Sequence, residues 1–126
     1  METYLQKDYV TIKYHNDKRI LILEWLKVST SLEFRAGMDA LIPAMEHFKT
    51  GKLICSLTHA GALHPDDQEW AASDWHTRAL TVGHSHVAII LAKDIFVQLS
   101  LEGSMGNVAL PTAFFDNIED AIDWIV

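Results

Sequence analysis

The fold of this chain is decided by residues 53–70, which read LICSLTHAGALHPDDQEW. The apolar run over residues 53–58 predicts a buried strand, Gly61 predicts a turn, and Pro65 followed by acidic residues predicts the first turn of a helix. In open α/β sheets, ligands and partners bind in crevices at the carboxyl ends of the strands. This strand-to-helix junction is therefore the expected functional surface.

Upstream of the junction, the chain predicts a β-hairpin. Residues 10–14 alternate apolar and polar side chains, which is typical of a half-exposed strand, and we place this strand at the edge of the sheet. Residues 15–18 predict a tight turn. The nearly continuous apolar run over residues 19–26 predicts a second arm that is buried more deeply than the first.

A long helix is expected between the hairpin and the junction. Thr30, with Glu33 three residues later, predicts a capping box at its start. Five apolar residues then recur at helical spacing, namely Phe34, Met38, Leu41, Met45 and Phe48. Pro43 is expected to bend the helix rather than end it, because the apolar stripe continues on both sides. Gly51 is the expected stop.

Downstream of the junction, strands alternate with helices. The predicted elements are a helix over residues 65–82, a strand over 86–91, a helix over 94–110, a strand over 111–115 and a helix over 117–125. Such alternation implies βαβ units with parallel strands and right-handed crossovers. We therefore predict a single α/β domain over residues 1–126, in which an N-terminal β-hairpin precedes three βα units (ββαβαβαβα) in a mostly parallel five-stranded sheet.

The two sheet faces differ in their predicted packing. At alternate positions, whose side chains share one face of the sheet, the strands carry bulky apolar residues: Leu53, Cys55, Leu57, Val87, Ile89 and Leu91. The positions between them, which face the other side, carry mostly small or polar residues, with Ile54 and Ile90 as exceptions. The pattern predicts one heavily packed face and one lightly covered face.

The composition argues against several classes of function. The chain has 126 residues, a formal net charge of −7 and ten scattered Lys and Arg residues. Nucleic-acid binding is not expected, because phosphate contacts need a basic patch. No apolar run approaches the roughly 18 residues that span a bilayer, and the N-terminus lacks the layout of a signal peptide, so we expect a cytoplasmic protein. The single cysteine, Cys55, is expected to be a small buried hydrophobe rather than a reactive thiol.

No catalytic or metal-binding motif stands out in the sequence. The serines lack a G-x-S-x-G context, and the seven histidines lack the H-E-x-x-H spacing of a zinc site. His84 and His86 are expected on one strand face, but two ligands make a weak site. Asp66, Asp67 and Glu69 allow a carboxylate cluster, although we favour first-turn acids that complement the helix dipole. We therefore expect no enzyme activity, no cofactor and no metal.

Three segments carry a resemblance to a known family. They are GAL at residues 61–63 before PDDQEW at 65–70, DIFVQLS at 94–100, and FDNIEDAIDW at 115–124. With the element order, they resemble the STAS superfamily, also called SpoIIAA-like after the anti-sigma-factor antagonists. The resemblance covers residues 9–126 and points to the uncharacterised bacterial branch labelled STAS/SEC14-like. It implies a SpoIIAA-like fold.

The resemblance also implies where a phosphorylation switch would lie. In the antagonists, the motif Asp-Ser-Ser-Gly opens a helix and carries the phosphorylated serine. That motif falls on residues 64–67, which read His-Pro-Asp-Asp, and Asp66 stands in the position of the phosphorylated serine. A phosphate next to Asp66, Asp67 and Glu69 would be repelled by these carboxylates. The resemblance thus implies the scaffold without the switch. His64 is a poor capping type and is expected to leave the capping to Asp67 or water.

Two further features predict interaction surfaces. The helix over residues 94–110 carries a second apolar stripe, formed by Val97, Leu101, Met105 and Val108. A helix that is apolar on two faces must be covered twice, so we predict a homodimer through this stripe, the alternative cover being the neighbouring helix. Trp70 lies with Asp74 and Arg78 on the polar side of its helix. It is predicted to anchor a partner, unless a loop or the next helix covers it.

The leading hypothesis is a non-catalytic STAS-like interaction or regulatory module that faces a protein partner or a small ligand. The residues of that surface are Thr58, His59, His64, Asp66, Asp67 and Trp70. The alternative is a small-molecule or lipid-binding protein of the SEC14-like type, which the lightly covered sheet face favours. A dry, apolar pocket of several hundred cubic ångströms would favour ligand binding, and a flat apolar patch around Trp70 or residues 97–108 would favour protein association.

Overall fold

A six-stranded sheet organises the computed structural model, which describes residues 1–95 and 110–126. The strands are β1 (Glu2–Gln6), β2 (Val10–His15), β3 (Ile20–Trp25), β4 (Lys52–Ser56), β5 (His86–Ile90) and β6 (Thr112–Phe115). The helices are α1 (Ser31–Phe48), α2 (residues 65–81) and α3 (Ile118–Ile125). Residues 93–95 are helical and residue 110 is a bend, while residues 96–109 of the helix predicted over residues 94–110 lie outside the described residues.

The predicted fold class is confirmed. The strands lie side by side in chain order, with β1, β2 and β3 antiparallel and β3 to β6 parallel. The predicted five-stranded sheet is one strand short, because Glu2–Gln6 pairs with β2. The prediction that residues 10–14 form a half-exposed edge strand is therefore wrong. β1 covers that edge, and Val10, Thr11 and Ile12 are all buried.

The two faces of the sheet are packed by different helices. On one face, α1 and α2 enclose the larger core, to which β4 contributes Leu53 and Cys55. On the other face, α3 places Ala121 and Ile125 against Ile54 and the neighbouring strands. The heavily packed face is the one predicted. The opposite face is covered by α3 over part of its area, because Ile54 and Ile90 provide an apolar surface for this helix.

Helix α1 begins as predicted and ends differently. Thr30 Oγ1 accepts a hydrogen bond from the Glu33 amide at 3.1 Å, and Glu33 Oε1 accepts one from the Thr30 amide at 3.0 Å, which completes the capping box. The helix continues through Pro43 and ends at Phe48, where Lys49 takes a left-handed conformation. Gly51 is therefore not the stop that the sequence predicted, and it serves a different contact described below.

Helix α2 is interrupted by a wider turn. Its segments are α-helical Pro65–Trp70, π-helical Ala71–Trp75 and α-helical His76–Thr81. The buried Trp75 donates its indole N–H to the Met38 carbonyl at 2.6 Å, and this bond fixes α2 against α1. Over the described ranges, no helix combines the length and the hydropathy needed to cross a membrane.

Candidate functional site

The amino ends of α1 and α2 enclose an open cleft of about 320 Å³. We call it the junction cleft, and its polar lining consists of Ser29, Ser31, Arg35, His64, Asp66 and Asp67. It is formed because the loop after β4 returns the chain to the start of α1 before α2 begins. The junction predicted from the sequence is therefore a concave surface shared by two helices.

Asp67 is the fixed centre of the junction cleft. Its side chain accepts a hydrogen bond from Ser31 Oγ at 2.6 Å and another from Arg35 Nε at 2.9 Å, and the residue is only 4% exposed. The Ser31 hydrogen bond, followed by the Arg35 hydrogen bond, lowers the pKa of the Asp67 carboxyl below its usual value. Asp67 therefore does more than complement the dipole of α2: it ties α2 to α1.

The start of α2 is capped by an imidazole. Pro65 occupies the first helical turn, and His64 Nδ1 accepts a hydrogen bond from the Asp66 amide at 3.1 Å. The prediction that His64 leaves the capping to Asp67 or water is wrong, because Asp67 is engaged with α1 instead. Asp66 remains exposed at the mouth of the cleft.

Two guanidinium groups lie over the indole ring of Trp70. Arg35 lies 5.0 Å and Arg78 lies 5.7 Å from the centre of the indole ring, and Phe34 meets the ring edge-on. Arg78 is held in place by Asp39 at 2.8 Å and Asp74 at 2.9 Å. Trp70 is half-buried, and both charged side chains and the apolar core pack against it. Each such cation–π contact contributes roughly 0.5–1 kcal/mol at an exposed site.

Sequence reasoning did not identify two exposed apolar residues near the start of α1, Val28 and Leu32, which we call the rim residues. Val28 is 67% exposed and Leu32 is 81% exposed, and they flank the two serines that line the cleft. Val28 lies beside Gly61, where an added Cβ would come within 2.8 Å of Val28 Cγ2. Leu32 stands outside the apolar stripe of α1, and that break in the helical pattern is the signal that could have revealed it.

The predicted surface residues do not all come together. His64, Asp66 and Asp67 line the junction cleft, and Trp70 packs directly behind it against Phe34. Thr58 lines a separate cleft of about 240 Å³ with Glu24 and Asp116, while His59 is exposed. The residues that sequence reasoning missed, Ser31 and Arg35, are spaced i, i+4 on α1. That spacing places them on one helix face.

The predicted pairing of His84 and His86 on one strand face is wrong. His84 precedes β5 and contacts Trp75 on α2, whereas His86 contacts Trp124 on α3, across the sheet. Strand alternation does not apply to His84 because the strand begins only at His86. Within residues 1–95 and 110–126, no group of three or more His, Cys, Asp or Glu side chains is arranged to hold a metal.

The predicted dimer stripe of Val97, Leu101, Met105 and Val108 lies outside the described residues. The homodimer stays a prediction.

Removing the Ser31 hydroxyl is expected to raise the pKa of Asp67 towards its usual value. The Ser31 hydrogen bond is the largest cause of the lowered pKa, and Ser31→Ala removes it without touching Arg35. The pKa is measured by NMR titration of the Asp67 side-chain carboxyl carbon. Ser29→Ala is the matched control, since Ser29 lines the same cleft. An Asp67 pKa that is equal in the Ser31 and Ser29 variants would contradict this account.

Comparison with known proteins identifies the fold. No protein-family model matches this chain, and no curated protein matches its sequence. A solved structure that does match is an uncharacterised protein of the DUF3478 family with a SpoIIAA-like fold from Shewanella loihica PV-4. The two chains share 19% sequence identity with a TM-score of 0.60, and the match covers 93% of this chain and 92% of the other. The SpoIIAA-like fold implied by the resemblance is confirmed.

Proposed function

We propose that this SpoIIAA-like domain is a non-catalytic interaction module that binds a protein partner on its junction surface. The junction surface consists of the junction cleft together with the rim residues Val28 and Leu32. The observation that carries the proposal is the exposure of these two aliphatic side chains, which are adjacent in the chain to the cleft-lining residues Ser29 and Ser31. Exposed apolar side chains that lie close together are a feature of protein interaction sites.

The rigidity of the junction cleft supports binding without a large ordering cost. Asp67 is held by Ser31 and Arg35, and Arg35 in turn packs on Trp70. Side chains already fixed in the free protein lose less rotational freedom on association. Trp70 therefore acts, in this proposal, as the support of Arg35 as well as an anchor at the edge of the surface.

The proposal includes the absence of a phosphorylation switch at the start of α2. Residues 64–67 carry no hydroxyl group, and Asp66 contributes a carboxylate at the position that the resemblance assigns to the phosphorylated serine. A phosphate group at the mouth of the cleft would be repelled by Asp66 and Asp67. We therefore propose that phosphorylation at the start of α2 does not regulate the binding of the partner.

The proposal also assigns no catalysis to the junction cleft. A general acid or base works best when its pKa lies near the operating pH. The pKa of Asp67 is moved further below neutral by Ser31 and Arg35. This carboxylate is suited to hold two helices together and poorly suited to exchange protons at neutral pH.

Affinity capture from a lysate of the native host tests the proposed surface. Leu32→Asp and Trp70→Ala are expected to reduce recovery of the partner at least tenfold, the loss typical of residues central to an interface. Matched controls are Leu80→Asp on α2 and Trp124→Ala on α3, which make the same substitutions at exposed positions elsewhere. Equal recovery by the wild-type protein, both junction variants and both controls would contradict the proposal, as would recovery that falls only in the controls.

A second candidate function, small-molecule binding, is favoured by one observation. A largely apolar cleft of about 300 Å³ opens between α2 and strands β4 and β5. We call it the apolar cleft, and its chief lining residues are Met38, Leu53, Ala72, Trp75, His84 and Val87. Ligand pockets span roughly 300–1,000 Å³, so this volume supports a small molecule better than a long-chain lipid.

A further inference from the structure

The apolar cleft is made by the π-helical turn of α2. The turn contributes Ala71 and Ala72, whose short side chains leave space in front of Trp75 and the strands. Single π-helical turns within helices recur at functional sites because they realign the side chains that follow. Of the described residues, no Asp, Glu, Lys or Arg lines the cleft. Cys55 lines it as a neutral thiol, since burial raises its pKa to about 12.

His84 is a buried polar group in the wall of the apolar cleft, which Gln68, His76 and Thr112 also line. It is 5% exposed, and its Nδ1 lies 3.1 Å from the Gly51 carbonyl oxygen. A carbonyl has no proton to give, so Nδ1 is the donor and Nε2 carries the lone pair of a neutral imidazole. Burial keeps this ring neutral, because it lowers the pKa of His84 to about 4.

The lone pair on Nε2 of His84 has no donor among the described residues. Trp75 and His76 meet the ring edge-on, with ring centres 5.5 Å and 6.4 Å away. Buried polar groups are almost always hydrogen-bonded, so an available acceptor in an apolar cleft calls for a donor.

We propose that the apolar cleft binds a small, uncharged, largely apolar molecule with one hydrogen-bond donor, and that Nε2 of His84 accepts that hydrogen bond. This inference rests on the second candidate function. A charged ligand is disfavoured because the walls provide no countercharge among the described residues. Specificity comes from His84, whose tautomer is fixed by Gly51.

The proposal is tested with two probes of nearly equal shape, p-cresol and p-xylene, which differ in a hydroxyl donor. Binding to the full chain is followed by NMR through the Met38 methyl group and the imidazole nitrogens of His84. Both probes are expected to bind, with p-cresol about threefold to tenfold tighter, the range that one net hydrogen bond supplies. The Nε2 resonance of His84 is expected to move with p-cresol and to stay in place with p-xylene.

Two variants with one matched control locate the binding. Ala72→Leu narrows the cleft and is expected to weaken the binding of both probes at least tenfold. Ala36→Leu adds the same side chain to an exposed position of α1 and is expected to leave both affinities unchanged. His84→Asn keeps a donor for Gly51 but removes the Nε2 acceptor, so p-cresol is expected to bind no tighter than p-xylene. If this variant does not fold, the wild-type Nε2 shift decides.

The possible outcomes distinguish a failure of the role of His84 from a failure of small-molecule binding. If neither probe binds the wild-type protein, both the inference and the small-molecule candidate are overturned. If both probes bind with equal affinity and the Nε2 resonance does not move, the role of His84 is overturned while small-molecule binding stands. Tighter binding of p-cresol that depends on His84 and Ala72 supports the full proposal.

Discussion

Replacing Gly51 with alanine is expected to lower the free energy of unfolding by about 3 kcal/mol or more, at the upper end of overpacking effects. An added Cβ would overlap the Gly83 carbonyl oxygen and lie 2.8 Å from the Ser85 amide nitrogen. Both neighbours are backbone atoms, which cannot rotate away as a side chain can. The Gly51 carbonyl also accepts hydrogen bonds from the amides of Ser85 and His86 and from the His84 ring, so the displacement would disturb all three.

Urea unfolding monitored by tryptophan fluorescence measures this effect, and Gly83→Ala provides the control. Gly83 has a φ of +98°, but an added Cβ there meets nothing within 4 Å. Its replacement therefore adds backbone strain alone, expected to cost roughly 1–2 kcal/mol. Gly51→Ala should be clearly the more damaging substitution. If the two variants lose equal stability, close packing at Gly51 is not what requires glycine there.

Acidification from neutral pH to about pH 4.5 is expected to remove about 2 kcal/mol of stability through His84 alone. Burial, ahead of the nearby His76 and His86, lowers the pKa of His84 in the folded protein from 6.5 to about 4. Between these two values the unfolded chain binds a proton that the folded chain does not. Stability therefore falls as the pH drops below 6.5, and the loss from this group levels off below about 4.

The pH dependence is measured by urea unfolding of the wild-type protein and of His84→Asn across this range. The variant lacks the titrating ring, so its stability is expected to depend less steeply on pH, whatever its stability at neutral pH. His59→Asn removes an exposed histidine instead and should keep the wild-type slope. Parallel pH profiles for wild type and His84→Asn would show that His84 is not the source of the acid sensitivity.

The fold was predictable where its signals are local. The capping box of Thr30 and Glu33 and the apolar stripe of α1 depend only on residues three or four positions apart. The strand β1 was missed because Glu2–Gln6 is mostly polar and exposed, and it is a strand only through its pairing with β2. A strand defined by its neighbour leaves no strong pattern of its own.

The candidate site was only partly predictable, because its key contacts join distant parts of the chain. The sequence located His64, Asp66 and Asp67 at the start of α2, but the groups that fix Asp67 lie on α1, more than 30 positions earlier. Similarly, the tautomer of His84 is set by Gly51. Sequence spacing predicts which residues share an element, while the partners across elements follow only from the packing of α1 on α2.

The strand order of the sheet bears on how the protein folds during its synthesis. Each strand pairs with the strand that precedes it in the chain, from β1 to β6. A chain that emerges from the ribosome therefore holds open only the edge of its newest strand for a partner that has yet to be translated, and the next strand to be made is that partner. The sheet can grow in one direction as residues are added, with α1 packing on β2 and β3 before β4 is made. Such sequential growth shortens the time during which an unpaired edge could join another nascent chain.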